Sequence, residues 1–177
     1  MLNSEQLQQI PLRVGFFMHS RFEELDYGGS ISLTGLKEKP IKVKIRDLFE
    51  QAVRRMFTEV VPITMTETMQ DWRAKNLDVV VTVGAISCLY DEQGLRERWP
   101  PARPLMFATV AADWVILDSY GKPVISMNIS CREQTPPTRT FVAHRNVIVK
   151  ALDAHFVKAY DNIVMTAWWR DSSWKTD

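Results

Sequence analysis

Ile45, Leu48, Phe49, Ala52, Val53, Met56 and Phe57 recur at steps of three and four, the stripe of an amphipathic helix laid on a flat surface. The spacing predicts a helix from near Lys44 to just before Pro62. Arg46, Asp47, Glu50, Gln51, Arg54 and Arg55 form its solvated side, and Glu50 four residues before Arg54 adds modest support. A second stripe, Ile148, Ala151, Leu152, His155, Phe156, Ala159, Ile163 and Val164, predicts a helix within Asn146–Trp169. The segments between are patterned differently. Val61, Ile63, Met65 and Met69 alternate with Thr64, Thr66 and Thr68, which predicts a strand over Val61–Met69 with one wet face. Gln70–Asn76 reads as a polar turn. Leu77–Ser87 is rich in β-branched residues and more continuously apolar, as a central strand is. Leu105–Asp118 and Val124–Cys131 predict two more strands. Ser119–Pro123 joins them as a hairpin loop in which Gly121 can take positive φ. Upstream, Leu12–His19 predicts the first strand, with Pro11 as its lead-in.

The order is strand, helix, four strands, helix. It predicts an α+β two-layer sandwich: a four- to five-stranded mixed or antiparallel sheet with two long helices on one face. Residues 1–11 read as a polar stub, 12–169 as a single domain and 170–177 as a tail. Arg21–Lys44 is a long connection punctuated by Gly28, Gly29 and Gly35, with room for a short strand at Ser30–Thr34. Connections of this length in compact domains often carry function. Pro100, Pro101, Pro104, Pro136 and Pro137 mark rims, because proline lacks the donor a ladder needs.

Composition narrows the classes. A chain of 177 residues with 46% apolar residues makes one domain with a core of its own. With 22 basic against 21 acidic side chains it has no electrostatic footprint for nucleic acid. No apolar run approaches the ~18 residues of a membrane span. Met1–Ile10 has no apolar stretch of the kind a signal peptide carries. Either the protein is cytoplasmic, or an export signal and a lipid-bearing cysteine precede Leu2 in the natural reading frame.

Candidate chemistry is sparse. His155 falls on the stripe of the second helix and reads as a core histidine; His19 ends a strand and His144 precedes a helix. No His-x-x-x-His or Cys-x-x-Cys spacing occurs, nor a Gly-x-Ser-x-Gly or a phosphate-cradling loop. Gly28-Gly29-Ser30 reads as a turn. Asp113, beside Trp114, reads as outer-face, the other option being a buried acid with raised pKa. Cys88 and Cys131 each end a strand. With one strand between them they stand about 10 Å apart at the sheet spacing, beyond the ~7 Å a disulfide spans. No catalytic, cofactor-binding or metal-ligating residue is expected. The candidates for function are aromatic: Tyr27 in the long loop, Trp99, and Trp168, Trp169 and Trp174 near the C-terminus. They are either an interaction surface, since aromatics are enriched at interfaces, or caps on the core's open end.

The helix beginning Ile45-Arg46-Asp47-Leu48-Phe49, the strand beginning Leu77-Asp78-Val79-Val80-Val81 and the hairpin Asp118-Ser119-Tyr120-Gly121-Lys122-Pro123-Val124 together resemble small bacterial envelope lipoproteins. The group comprises the lipopolysaccharide-assembly lipoprotein and the auxiliary lipoproteins of ABC-type transport systems. In it the hairpin recurs, matched here by Val115–Val124, and the likeness runs from Leu12 to Trp168. It implies two helices on one face of a sheet, no enzymatic activity and no cofactor. It also implies residence at the periplasmic face of the outer membrane, with an N-terminal lipid anchor as the sole membrane contact. The partners it implies are other envelope proteins or a second copy of the chain. The other reading is a small cytoplasmic enzyme or ligand-binding domain using the cleft beside residues 21–44.

Overall fold

Stripe and alternation resolve into seven strands and three helices in a computed structural model that describes residues 8–19, 24–27, 41–93, 105–135 and 141–170. In chain order they are β1 (Ile10–Met18), β2 (Glu24–Tyr27), β3 (Ile41–Lys44), α1 (Ile45–Met56), β4 (Phe57–Pro62), α2 (Met69–Ala74), β5 (Val79–Gln93), β6 (Leu105–Asp118), β7 (Pro123–Thr135) and α3 (Phe141–Thr166). A 3₁₀ turn, Trp168–Arg170, follows. Five strands form one mixed sheet in the order β4-β1-β5-β6-β7. β1 runs parallel to both neighbours, β4 and β5, whereas β5, β6 and β7 form an antiparallel meander. β2 and β3 make a separate antiparallel pair. The fold is the expected α+β sandwich. Val14, Phe16, Val81, Val110, Trp114 and Ile129 pack beneath Phe49 and Val53 of α1 and Leu152 and Phe156 of α3. No described helix is long and apolar enough to cross a membrane.

Several boundaries differ from the sequence expectation. Pro11 lies inside β1, exposed, where the register with β4 shifts between Ile10 and Arg13; the shift accommodates its missing donor. α1 stops at Met56 and becomes β4 with no loop, Phe57 already being extended at φ −121° and ψ 152°. Phe57 continues the helical spacing from Val53 yet is buried as a strand residue, so the stripe hid the change of backbone. The strand expected over Val61–Met69 ends at Pro62. Beyond it local bonds replace the ladder: Thr64 N–H donates to Glu67 Oε1 at 3.0 Å, and Thr68 opens α2 with a capping box to Asp71. Side chains that bond nearby backbone compete with strand pairing in this way. The expected turn at Gln70–Asn76 is therefore mostly helix. The long connection carries β2 and β3, and Ser30–Thr34 falls outside the described residues. β5 continues past Ser87 because a bulge between Gly84 and Ser87, with Ala85 at φ 45°, absorbs one residue. Ile86 thereby stays on the core side.

The other face of the sheet is covered at one end. Ile63, Leu77 and Val80 form a small second core with Phe17, Val61, Trp72 and Leu117. Gly15 permits it: a Cβ there would stand 2.8 Å from Leu77 Cδ1 and 3.1 Å from Val80 Cγ2. The rest of that face is wet. Asp113 lies on it, as expected, accepting from Asn128 Nδ2 at 2.6 Å. Cys88 and Cys131 both pair with Val110, one strand apart, and neither is in a disulfide.

At the centre of the main core Trp114 Nε1–H donates to His155 Nε2 at 2.9 Å, with both side chains fully buried. An indole can only donate, so His155 is held neutral with its proton on Nδ1. Phe49 stands 5.6 Å from Trp114 and 4.9 Å, edge-on, from Phe156 between ring centroids. Phe49→Ala and Phe156→Ala are each expected to cost about 3–5 kcal/mol; a loss under about 1 kcal/mol in denaturant melts would place the wrong residues in the core.

Burial pushes the His155 imidazole down to about 4, the Lys158 charge adding to the effect after the Val110 backbone opposes it. The unfolded chain takes up this proton below 6.5 while the folded chain stays neutral to about 4. Its contribution to stability is therefore complete at neutral pH and is lost as pH falls through that window, by up to about 1.4 kcal/mol per unit. Melts from pH 7 to pH 4 should show the decline, and His155→Gln should flatten it. Equal slopes for the two proteins would mean that His155 is not the group responsible.

Candidate interaction surface

The titratable groups offer little chemistry. Among the described residues no three His, Cys, Asp or Glu side chains come together as a metal site. His155 is sealed in the core, His19 lies just past β1, and the side chain of His144 is outside the described residues. Burial raises the Cys131 thiol, Glu133 adding to the effect and Lys158 opposing it, which is the reverse of what a nucleophilic cysteine needs.

The aromatic residues singled out from sequence fall at opposite ends of β1. Tyr27 pairs with Ile41 in β2, which follows the C-terminal end of β1 and touches β5 and α1. Trp168 and Trp169 sit where α3 ends. That is the end where β1 starts, since Tyr160 O–H donates to the Gln8 carbonyl at 2.7 Å. Ala167, at φ 49°, turns the chain out of the helix, and Arg170 N–H closes the turn on the Ala167 carbonyl at 2.9 Å. Both indoles then pack, half-buried, against the main core. Arg170 Cζ lies 5.0 Å over the Trp169 ring. Trp99 and Trp174 lie outside the described residues.

Two further surfaces had no signal in the one-dimensional pattern. At the far end, β1 pairs with β5 only as far as Val83. Beyond it β5, β6 and β7 continue as a three-stranded arm, pairing out to Gln93–Leu105 and Met106–Thr135. Leu89, Thr109 and Arg132 form one row across the arm. Leu89 is 66% exposed, and Arg132 Cζ covers Phe107 at 4.3 Å. At the near end, Asp118 pairs with Val79, so the β6–β7 hairpin turns beside the start of β5. Asp118 Oδ1 accepts from the Tyr120 and Lys122 amides at 2.9 and 2.8 Å, and Gly121 takes φ 80°. Met69 of α2 seats its sulfur 2.8 Å from where a Gly121 Cβ would lie, and Arg73 Cζ stands 5.2 Å over the Tyr120 ring. Thr68-x-x-Asp71 was the sequence signal for α2, an N-terminal capping box.

No family model matches the chain, and no curated protein matches its sequence. Solved structures do match its shape. A Helicobacter pylori protein described as a neuraminyllactose-binding hemagglutinin homolog superposes with a TM-score of 0.51 at 10% identity, over 94% of this chain and 95% of that one. Uncharacterized lipoprotein B from Nitrosomonas europaea gives 0.48 at 12% identity, over 90% of this chain and 84% of that one. A minor lipoprotein from Acinetobacter baumannii gives 0.43 at 7% identity, over 88% of this chain and 90% of that one. At such identities the Helicobacter match is a likeness of fold, spanning nearly the whole of both chains.

Proposed function

We propose that this chain is a non-enzymatic accessory or assembly subunit of a bacterial cell-envelope complex, anchored at the periplasmic face of the outer membrane and working by binding other proteins. The element pattern resembling envelope lipoproteins supports this, and so does the fold shared with the Helicobacter protein. The observation that carries the binding role is the arm. It extends a hydrogen-bonded sheet beyond the last pairing of β1 and holds Leu89 exposed on a wet face. A large apolar side chain held out on a rigid element suits recognition, because little conformational freedom is lost when a partner covers it.

The protein expressed from its natural reading frame should fractionate with the outer membrane. A photocrosslinking amino acid placed at Leu89 should give a discrete covalent adduct in cells, and one placed at Glu50, on the solvent side of α1, should not. Leu89→Arg should abolish partner capture and change stability by no more than about 0.5 kcal/mol, as surface substitutions do. Recovery in the cytoplasm with no adduct from Leu89 would overturn the reading.

A further inference from the structure

The two edges of the main sheet are finished differently. β4 is short and ends on Pro62. Its backbone is guarded, Arg54 Nη1 donating to the Val60 carbonyl at 3.1 Å and Gln9 Nε2 to the Phe57 carbonyl at 3.2 Å. Short edges, proline and charged side chains keep other strands from pairing there. β7 has 13 residues, with proline at the first alone, and no described strand pairs with its outer side. The hairpin shows which of its backbone groups face outward. Asp118 N–H donates to the Lys122 carbonyl at 2.9 Å, and the Asp118 carbonyl accepts from Gly121 N–H at 3.0 Å. Asp118 and every second residue before it in β6 thus turn their backbone toward β7. Their opposites in β7 are Ile125, Met127, Ile129 and Cys131. Ser126, Asn128, Ser130 and Arg132 therefore aim N–H and C=O away from the sheet. Lys158 Nζ of α3 takes the Ser130 carbonyl at 3.4 Å, as an outward carbonyl allows.

We propose that β7 is a dimer edge: two copies of the chain pair β7 antiparallel across a two-fold axis at Ile129 and join their sheets into one. An edge of alternating donors and acceptors takes an extended polypeptide strand, and a two-fold axis lets one surface complete itself. Ile129 is the midpoint of Pro123–Thr135, so this axis uses the whole strand. On the wet face it sets Asn128 opposite Ser130 of the second copy and Ser126 opposite Arg132, with about eight backbone hydrogen bonds between the strands. The charges on the strand, Arg132 and Glu133, both meet neutral residues, Ser126 and Ile125. On the α3 side Met127 meets Cys131 of the second copy. Each of these packs on the core of one chain yet is only half-buried there, and the match completes their burial.

The helices fit the same axis. α3 packs on both β6 and β7, His155 against Trp114 and Lys158 against Ser130. In a joined sheet the two α3 helices stand two strand spacings apart, about 10 Å, an ordinary distance between packed helices. Lys158 marks the flank of α3 that overlooks the edge. Ala154 lies one turn before it on that flank and Met165 two turns after. Met165, 82% exposed, faces the α3 helix of the second copy. Lys158 is long and exposed, and it yields the Ser130 carbonyl to an N–H of the second copy. Leu89 stands two strands from the edge in the row Leu89–Thr109–Arg132, so the dimer leaves it uncovered. The proposal goes beyond the envelope reading and does not depend on it.

The test uses the purified whole chain in sedimentation velocity over a range of concentrations, where a monomer–dimer equilibrium is expected. Ser126→Arg opposes Arg132 of the second copy and should weaken the dimer about three- to tenfold. Ser126→Glu should tighten it by a similar factor, since each dimer holds two such cross-strand pairs. Ser126 is exposed, and both variants should keep the parent circular dichroism. The register is read by Met127→Cys in a Cys88→Ser background. Mild oxidation should link two copies through Cys131, because directly opposed cross-strand positions lie within disulfide reach, and Cys131→Ser should abolish the link. Within one chain the two positions stand about 13 Å apart along the strand and cannot bond. Leu89→Arg should leave the dimer unchanged, which separates this edge from the proposed partner site. A chain that stays monomeric at every concentration and gives no link from Met127→Cys would overturn the proposal. So would a dimer that ignores both charges at position 126 and gives no link, which would place the interface elsewhere. In cells, a link from Met127→Cys to a different protein, with none between copies, would also overturn it and assign the edge to a heterologous strand.

Discussion

The hydrogen bond from Trp114 to His155 is the fixed point of this molecule. It joins the middle of β6 to the middle of α3 inside a shell of aromatic rings. It has one permitted polarity, because the indole only donates and the imidazole must stay neutral to accept. Losing either partner would leave a buried polar atom unsatisfied. Since α3 is a rod with a rise of 1.5 Å per residue, fixing His155 against the sheet also fixes Thr166 about 16 Å farther along. The placement of Trp168 and Trp169 at one end follows from that single contact.

Much of the architecture was legible because its residues are patterned for burial. The limits of β6 coincide with the alternating run Leu105–Asp118, and the inward set read along α3 is buried, His155 included, except that Val164 is only half-buried and the fully buried Val147 was not among them. The misreadings occur where periodicity and local bonding disagree. Phe57 satisfies both a helix stripe and a strand, so β4 was started too late. Thr64, Thr66 and Thr68 mimic the wet side of a strand, but Glu67 and Asp71 give the backbone local partners instead. β5 and β7 run past their apolar stretches because they pair with β6, not because their own residues demand it.

Surface function was less legible for a related reason. Met69, Tyr120 and Met165 are far apart in sequence, and each alone is an ordinary exposed residue. Topology alone brings Met69 and Arg73 of α2 beside Gly121 and Tyr120 of the hairpin. The sheet sets apart two ends: one where Trp168 and Trp169 pack against the core, and an arm end where Leu89 stands exposed. A two-layer sandwich suits such a division, because its long strands carry both ends on one rigid frame.

The strand order also bears on how this chain comes into being. β1 is made first, yet both strands that flank it are made later, β4 after α1 and β5 after α2. Its parallel pairing cannot be completed until Val83 has been synthesised, and the helix that covers the meander ends only at Thr166. Long-range parallel pairing is slow, because the entropy of closing the intervening chain is spent before contacts return it. A polypeptide arranged in this order holds β1 without one of its two native neighbours until Val83, near the middle of the 177 residues, has been made, and over that interval the strand's edge is open to any other strand that meets it.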